Sequence, residues 1–124
     1  MKRKFLHIAM YRAMDFLYDS LKNPPEELIQ FLSDLNPYIW QERTTADPAV
    51  QADFEKSMDR QNIMDEVDEV VAYNAIKNFL AEQCNSYSKF VAKKSKVNFA
   101  ELFEKISVNE WKKFCKIILA EEEN

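Results

Sequence analysis

No glycine occurs among the 124 residues of this chain. Tight hairpins and phosphate-cradling loops need residues that accept positive φ, and glycine does so without steric penalty. Its absence removes the nucleotide-binding P-loop, the dinucleotide fingerprint and the glycine-flanked serine elbow together, and it argues against an all-β fold. Histidine is represented by His7 alone, and the two cysteines, Cys84 and Cys115, form neither a CxxC pattern nor a zinc-ligand spacing. No run approaches the roughly 20 apolar residues that a membrane-spanning helix needs. The opening Met1-Lys2-Arg3-Lys4 with its following apolar stretch imitates a secretion signal, but Arg12 and Asp15 interrupt it and no small-residue cleavage site follows. The expectation is a cytoplasmic protein with two reduced, semi-buried thiols.

What is present suits a helical domain. Apolar residues make up 47% and charged residues 31%, and nine Phe, five Tyr and two Trp supply bulk for a core. Asn is the next choice after Gly at a left-handed helix C-cap, so helices joined by Asn, Pro and Ser manage without glycine. The apolar spacing predicts an all-α fold, a compact single-domain bundle of five to six helices over residues 1–124.

The first helix is expected over residues 3–22, with Leu6, Met10, Ala13, Leu17 and Leu21 on one face. Phe5, Ala9 and Phe16 widen that face, which makes this helix central. Asn23-Pro24-Pro25 stops it, and the second helix starts at the prolines with Glu26 and Glu27 in its first turn. It buries Leu28, Phe31, Leu32 and Leu35 and ends at Asn36-Pro37. Tyr38, Ile39 and Trp40 follow in an irregular segment expected to fold back on the core.

Asp47-Pro48 marks the start of a peripheral third helix with a thin stripe of Val50, Phe54 and Met58. A fourth helix is expected over residues 63–87, with Val67, Val71, Ala75, Phe79, Leu80 and Cys84 inward. Neither Pro nor Gly separates these two, so they form one long bent helix or break near residues 59–62; the break is favoured. A basic connector over residues 89–97 leads to a fifth helix, capped by Asn98, that buries Phe99, Leu102, Phe103 and Ile106. Ser107 and Glu110 have capping-box spacing at the start of a sixth helix with Val108, Trp111, Phe114, Cys115, Ile118 and Leu119 in its stripe. Residues 121–124 are expected as a frayed acidic tail.

Charge is segregated along the chain. Residues 26–88 hold thirteen acids and four bases, against a net charge of −4 for the whole. Asp59, Asp65, Glu66, Asp68 and Glu69 crowd the opening of the fourth helix. They are either a solvated first turn favoured by the helix dipole or a surface for a basic protein partner. Such a surface also needs anchors that lose water on binding, and Tyr38, Trp40 and Tyr73 are the candidates.

A metal reading is weaker. Glu66 and Glu69 form ExxE and Glu82 to Asn85 form ExxN, close to the ExxE and ExxD pair of all-helical nucleotide pyrophosphatases. Asn85 replaces the second acid, and Glu69 and Glu82 on one helix stand about 20 Å apart. No metal or cofactor is therefore expected. His7 has no nucleophile beside it in sequence, and Ser and Cys occur in no catalytic setting, so no catalytic residue is assigned. The basic and aromatic residues 89–96 have the composition of a nucleic-acid grip, but an acidic chain with pI near 5.1 makes a surface connector the better reading.

The stretch Phe31-Leu32-Ser33-Asp34-Leu35-Asn36-Pro37-Tyr38-Ile39-Trp40, continued by Thr45-Ala46-Asp47-Pro48-Ala49-Val50 and Asp53-Phe54, resembles a segment of small bacterial immunity proteins. These belong to contact-dependent growth inhibition and related polymorphic-toxin systems. The resemblance covers about a quarter of the chain, and families of uncharacterised gut-bacterial proteins share such segments. Its motif, Asn-Pro-aromatic then Ala-Asp-Pro-Ala, is structural punctuation rather than chemistry. The resemblance implies a non-enzymatic antidote that binds and blocks a cognate toxin. It carries over no binding residues, because such proteins use different surfaces for different toxins. The expected function is an immunity or inhibitor protein that meets a basic toxin domain, with no membrane or nucleic-acid partner. The alternatives are a helical regulatory or adaptor protein without a toxin partner, and a metal-dependent all-α nucleotide hydrolase.

Overall fold

Leu6, Met10, Ala13 and Leu17 recur at helical spacing, and Leu6–Ser20 form helix α1 in the computed structural model, after a single 3₁₀ turn at Arg3–Phe5. The structure describes residues 1–87 and 98–123, and of 84–87 the backbone alone. Eight of the fifteen α1 residues are buried, including His7, and the helix packs against α2 (Glu26–Leu35), α5 (Phe99–Phe103) and α6 (Val108–Glu122). Phe16 departs from expectation. It is 53% exposed at the seam with α6, where its ring meets that of Phe114 edge to face. Beyond Ser20 the backbone turns extended at Leu21, and Asn23-Pro24-Pro25 prevent the helix from resuming.

α2 buries Leu28, Phe31, Leu32 and Leu35 as the spacing predicts. α3 (Pro48–Arg60) opens with the Asp47 carboxylate accepting from the Ala49 N–H and with Pro48 in its first turn, where no donor is needed. α3 and α4 (Glu69–Tyr87) are separate helices. Asn62 takes φ 57°, the left-handed conformation that ends α3. The Ile63 N–H then reaches the Met58 carbonyl and the Asn62 N–H the Asp59 carbonyl, the paired closure of a Schellman motif with Asn in glycine's usual place.

The fourth helix starts six residues later than its apolar pattern suggests. Residues 63–68 lie outside any helix and pair with the N-terminus: the Arg3 N–H donates to the Asp65 carbonyl at 2.8 Å and the Val67 N–H to the Met1 carbonyl at 2.9 Å. Asp68 is the true cap of α4, accepting from the Val70 N–H at 2.8 Å. Val71, in the first turn of α4, is exposed, and the inward stripe is Ala72, Tyr73, Ala75, Ile76, Phe79 and Leu80. The expected Cys84 and Asn85 side chains and the basic connector at 89–97 lie outside the described residues.

Asn98 caps α5 through the Glu101 N–H, and Ser107 and Glu110 close both halves of the capping box at α6. Residues 121–123 are not frayed. α6 runs through Glu122, and Glu121, Glu122 and Glu123 form ion pairs with Arg12, Arg43 and Lys2. One set of buried apolar side chains draws on all six helices, with Trp111, Phe31, Phe54, Phe79, Phe99 and Phe103 its largest members. Among the described residues there are six α-helices and no strand, only an isolated antiparallel bridge between Lys2 and Glu66.

Candidate functional site: an acidic segment and a tyrosine-lined cleft

The expected site residues separate into an acidic group, a loop group and one core residue. Arg3 gathers the acids. Its guanidinium lies 2.7 Å from the Asp59 carboxylate and 3.0 Å from that of Glu55, and its backbone N–H holds Asp65. Asp59 is therefore exposed but already paired. Asp65 and Glu66 are exposed on the extended segment beside it, where Asp65 pairs through its carbonyl and the Glu66 carboxylate lies 3.7 Å from the N-terminal ammonium, and Asp68 is exposed at the α4 cap.

Glu69 is a correction. It is half-buried, its carbonyl accepts from the Trp111 indole N–H at 2.9 Å, and its Oε2 is buried without a hydrogen bond among the described residues. It stands near the buried Cys115, whose thiol is pushed up to about 12 by burial and then by the Glu69 charge. That thiol stays protonated and unreactive at neutral pH.

Tyr73 is a second correction. It is buried, its hydroxyl donates to the Ile106 carbonyl at 2.6 Å, and its ring packs on Phe103 with centroids 4.9 Å apart. It joins α4 to the turn between α5 and α6 and offers nothing to a partner. Sequence reasoning missed the groups that stand in its place: Met64, Val70 and Val71 are 71%, 41% and 50% exposed. The detectable signal was Asp68, an N-cap type directly before the helix, which accepts from the Val70 and Val71 N–H groups and so sets both in the first turn of α4.

Tyr38 and Trp40 do not join the acids, and they do not fold back on the core. Buried Pro37 and Thr45 take the inward positions of their loop. Its polar groups are tied locally: the Trp40 indole N–H donates to the Ala46 carbonyl at 3.1 Å, and the Asp47 N–H to the Asp34 carbonyl at 2.9 Å. Tyr38, Ile39 and Trp40 are left 40%, 58% and 48% exposed. Arg12 holds Glu121 with two contacts of 2.8 and 3.0 Å and also donates to the Tyr38 hydroxyl at 3.2 Å.

Arg43 has φ 62°, a left-handed conformation that a side chain disfavours. The turn aims its carbonyl at His7, whose Nε2–H donates to it. His7 is buried against the edge of Phe54, with Nδ1 lacking a hydrogen bond, and burial lowers its pKa. Among the described residues no carboxylate or nucleophile bonds to the ring, which acts as a core strut. The Arg43 guanidinium lies 5.3 Å over the Tyr38 ring, and its Nε is 3.3 Å from Glu122, close enough for an ion pair but not aligned for a hydrogen bond.

A cleft of about 200 Å³ opens between α1 and α2 beside this loop. Tyr11, Asp15 and Tyr18 line it from α1, and Ile29, Leu32, Ser33 and Asn36 from α2. Both sets have the i, i+4, i+7 spacing of a helix face, so the two stripes were readable in the sequence although their meeting was not. Burial and then neighbouring Asp19 raise the Asp15 pKa, and burial and Asp15 raise that of Tyr11.

Among the described residues no group of three His, Cys, Asp or Glu is placed to hold a metal ion. Glu69 and Glu82 lie on the one helix α4, and Glu82 is engaged by Arg60 at 2.7 Å. No described helix is long and apolar enough to cross a membrane. Comparison with protein-family models, curated proteins and solved structures returned no match.

Proposed function

We propose that the chain is a non-enzymatic protein-binding domain that recognises a basic protein through residues 59–71 and acts as an inhibitor of the immunity type. The observation that carries the reading is the make-up of residues 64–71. Asp65, Glu66 and Asp68 stand exposed beside exposed Met64, Val70 and Val71. Charge speeds encounter and selects the partner, while apolar groups supply a centre that loses water. The backbone pairing to residues 1–3 holds the segment in place, so little ordering remains for binding to impose. The immunity assignment rests on the resemblance over residues 31–54, and the acidic face fits a toxin with a basic active surface.

A photo-cross-linking amino acid at position 64 or 70 in the source cell should trap one basic protein, and the same group at exposed Lys105 should not. Expression of the trapped protein alone should arrest growth, and co-expression of this chain should relieve the arrest. Equal trapping from position 105, or an acidic partner, would overturn the acidic-face reading. A basic partner that is harmless when expressed would overturn the immunity assignment.

A further inference from the structure

Asp15 is a carboxylate that Arg12, one turn back along α1, offsets in charge without bonding to it. It is half-buried in the cleft between α1 and α2, and among the described residues it has neither a hydrogen bond nor an ion pair. The nearest cation along α1, Arg12, is committed to Glu121 and Tyr38. Asp19, one turn on, adds a second negative charge. Tyr11 and Tyr18 flank Asp15 one turn to either side along α1, and Ser33 and Asn36 line the facing wall, where the Asn36 Oδ1 accepts from the Tyr38 N–H at 2.9 Å and keeps a second lone pair. At about 200 Å³ the space suits one side chain, being smaller than the ~300 Å³ or more of drug-sized pockets.

We propose that this cleft is a binding site for the guanidinium of an arginine side chain on a polypeptide partner. A planar cation with five donors matches a carboxylate flanked by tyrosine rings and faced by hydroxyl and amide oxygens. Stacking on a tyrosine face and pairing with a partly dehydrated carboxylate reinforce one another there. Lysine, a compact and strongly hydrated charge, satisfies neither the stacking nor the fork. Burial first and Asp19 second raise the Asp15 pKa, and the charge of Arg12 offsets this only in part. The site extends the protein-binding reading to a second place on the molecule and uses none of the residues of the acidic segment. Failure of either therefore leaves the other standing.

The test is an amide-resolved NMR titration of the full chain with Nα-acetyl-arginine N-methylamide. Saturable shifts are expected in the millimolar range, confined to residues near 11–18 and 29–36. Asp15→Asn should weaken binding about tenfold, the scale of one lost charge-assisted contact, without lowering Tm. Tyr18→Leu should weaken it too, which keeps the test open if one variant folds poorly. The lysine analogue should bind several-fold more weakly. Free arginine, whose α-ammonium and α-carboxylate stand where a polypeptide has neutral amides, should bind no more tightly than the blocked form. Unsaturable or scattered shifts, undiminished binding by Asp15→Asn, or equal binding of the lysine analogue would overturn the site. Tighter binding of free arginine would overturn the assignment to a polypeptide.

Discussion

Replacing Tyr73 by Phe separates a core role from a surface role in one atom. The Tyr73 hydroxyl donates to the Ile106 carbonyl at 2.6 Å, while the ring packs between Phe103 and Trp111 with centroids at 4.9 and 6.4 Å. Phe keeps the ring contacts and removes the donor, leaving the Ile106 carbonyl with one bond fewer in the turn between α5 and α6. Loss of one partner of a buried hydrogen bond costs about 1–2 kcal/mol. For a chain of this size that is a fall in Tm of about 4–8 °C. Urea unfolding followed by far-UV circular dichroism should show a lower midpoint with an unchanged slope, because the surface exposed on unfolding is the same. Tyr73 also titrates late, since burial and then Glu104 and Glu110 raise its pKa. The folded state therefore resists forming the phenolate, and stability conferred below pH ~10 is lost above it. A Tyr73→Phe loss below about 0.3 kcal/mol would refute the reasoning, since a solvated hydroxyl loses little on removal.

Asn62→Ala should cost about 1–2 kcal/mol, because a Cβ without a local polar side chain is disfavoured at φ 57°, whereas Asn62→Gly should be neutral or stabilising in the same urea assay. His7 has its pKa lowered first by burial, with Glu55 and Glu122 pulling the other way, so the unfolded state binds the proton more readily. Stability should hold above pH ~6.5 and fall as pH drops from there toward the folded-state pKa. His7→Gln should flatten that part of the pH profile, and an unchanged slope would contradict the assignment. Removing residues 121–124 should lower Tm by a few degrees, since three ion pairs and the last turn of α6 go with them, although each exposed pair contributes only about 0–1 kcal/mol. No change in Tm would return the tail to the frayed state expected from its charge.

Caps and apolar stripes were the legible part of this fold. Asp47-Pro48, Asn98 and the Ser107 with Glu110 box each start a helix where the sequence places one. The stripes of α2, α3 and α5 are buried residue for residue. These signals are local, set by backbone donors within one turn of the side chain that satisfies them. The start of α4 was not legible in the same way, because Ile63, Val67 and Val71 repeat every four residues and imitate a helix face. A long-range pairing with residues 1–3 overrides that pattern, and periodicity within one segment carries no information about it.

The candidate site divides along the same line. Exposure of Asp59, Asp65, Glu66 and Asp68 follows from their charge and was foreseeable. Tyr73 went to the core and Trp40 to the surface, although both are aromatic. The difference is that Tyr73 finds the Ile106 carbonyl across the bundle, while the loop around Trp40 has Pro37 and Thr45 to turn inward. The cleft setting of Asp15 was invisible for a similar reason, since only the meeting of α1 with α2 creates it.

The association rate of the Asp65→Lys, Glu66→Lys double variant with the trapped partner is the most direct measure of the acidic-face account. Both side chains are exposed, and although the Glu66 carboxylate lies 3.7 Å from the N-terminal ammonium, backbone hydrogen bonds to residues 1–3 also hold the segment, so the fold should persist. Stopped-flow association at about 20 mM salt should slow by ~10-fold or more, and at about 0.5 M salt by less than ~3-fold, because the screening length shrinks to a few ångströms. Unchanged association at low salt would contradict the account and leave residues 59–71 as a solvated surface.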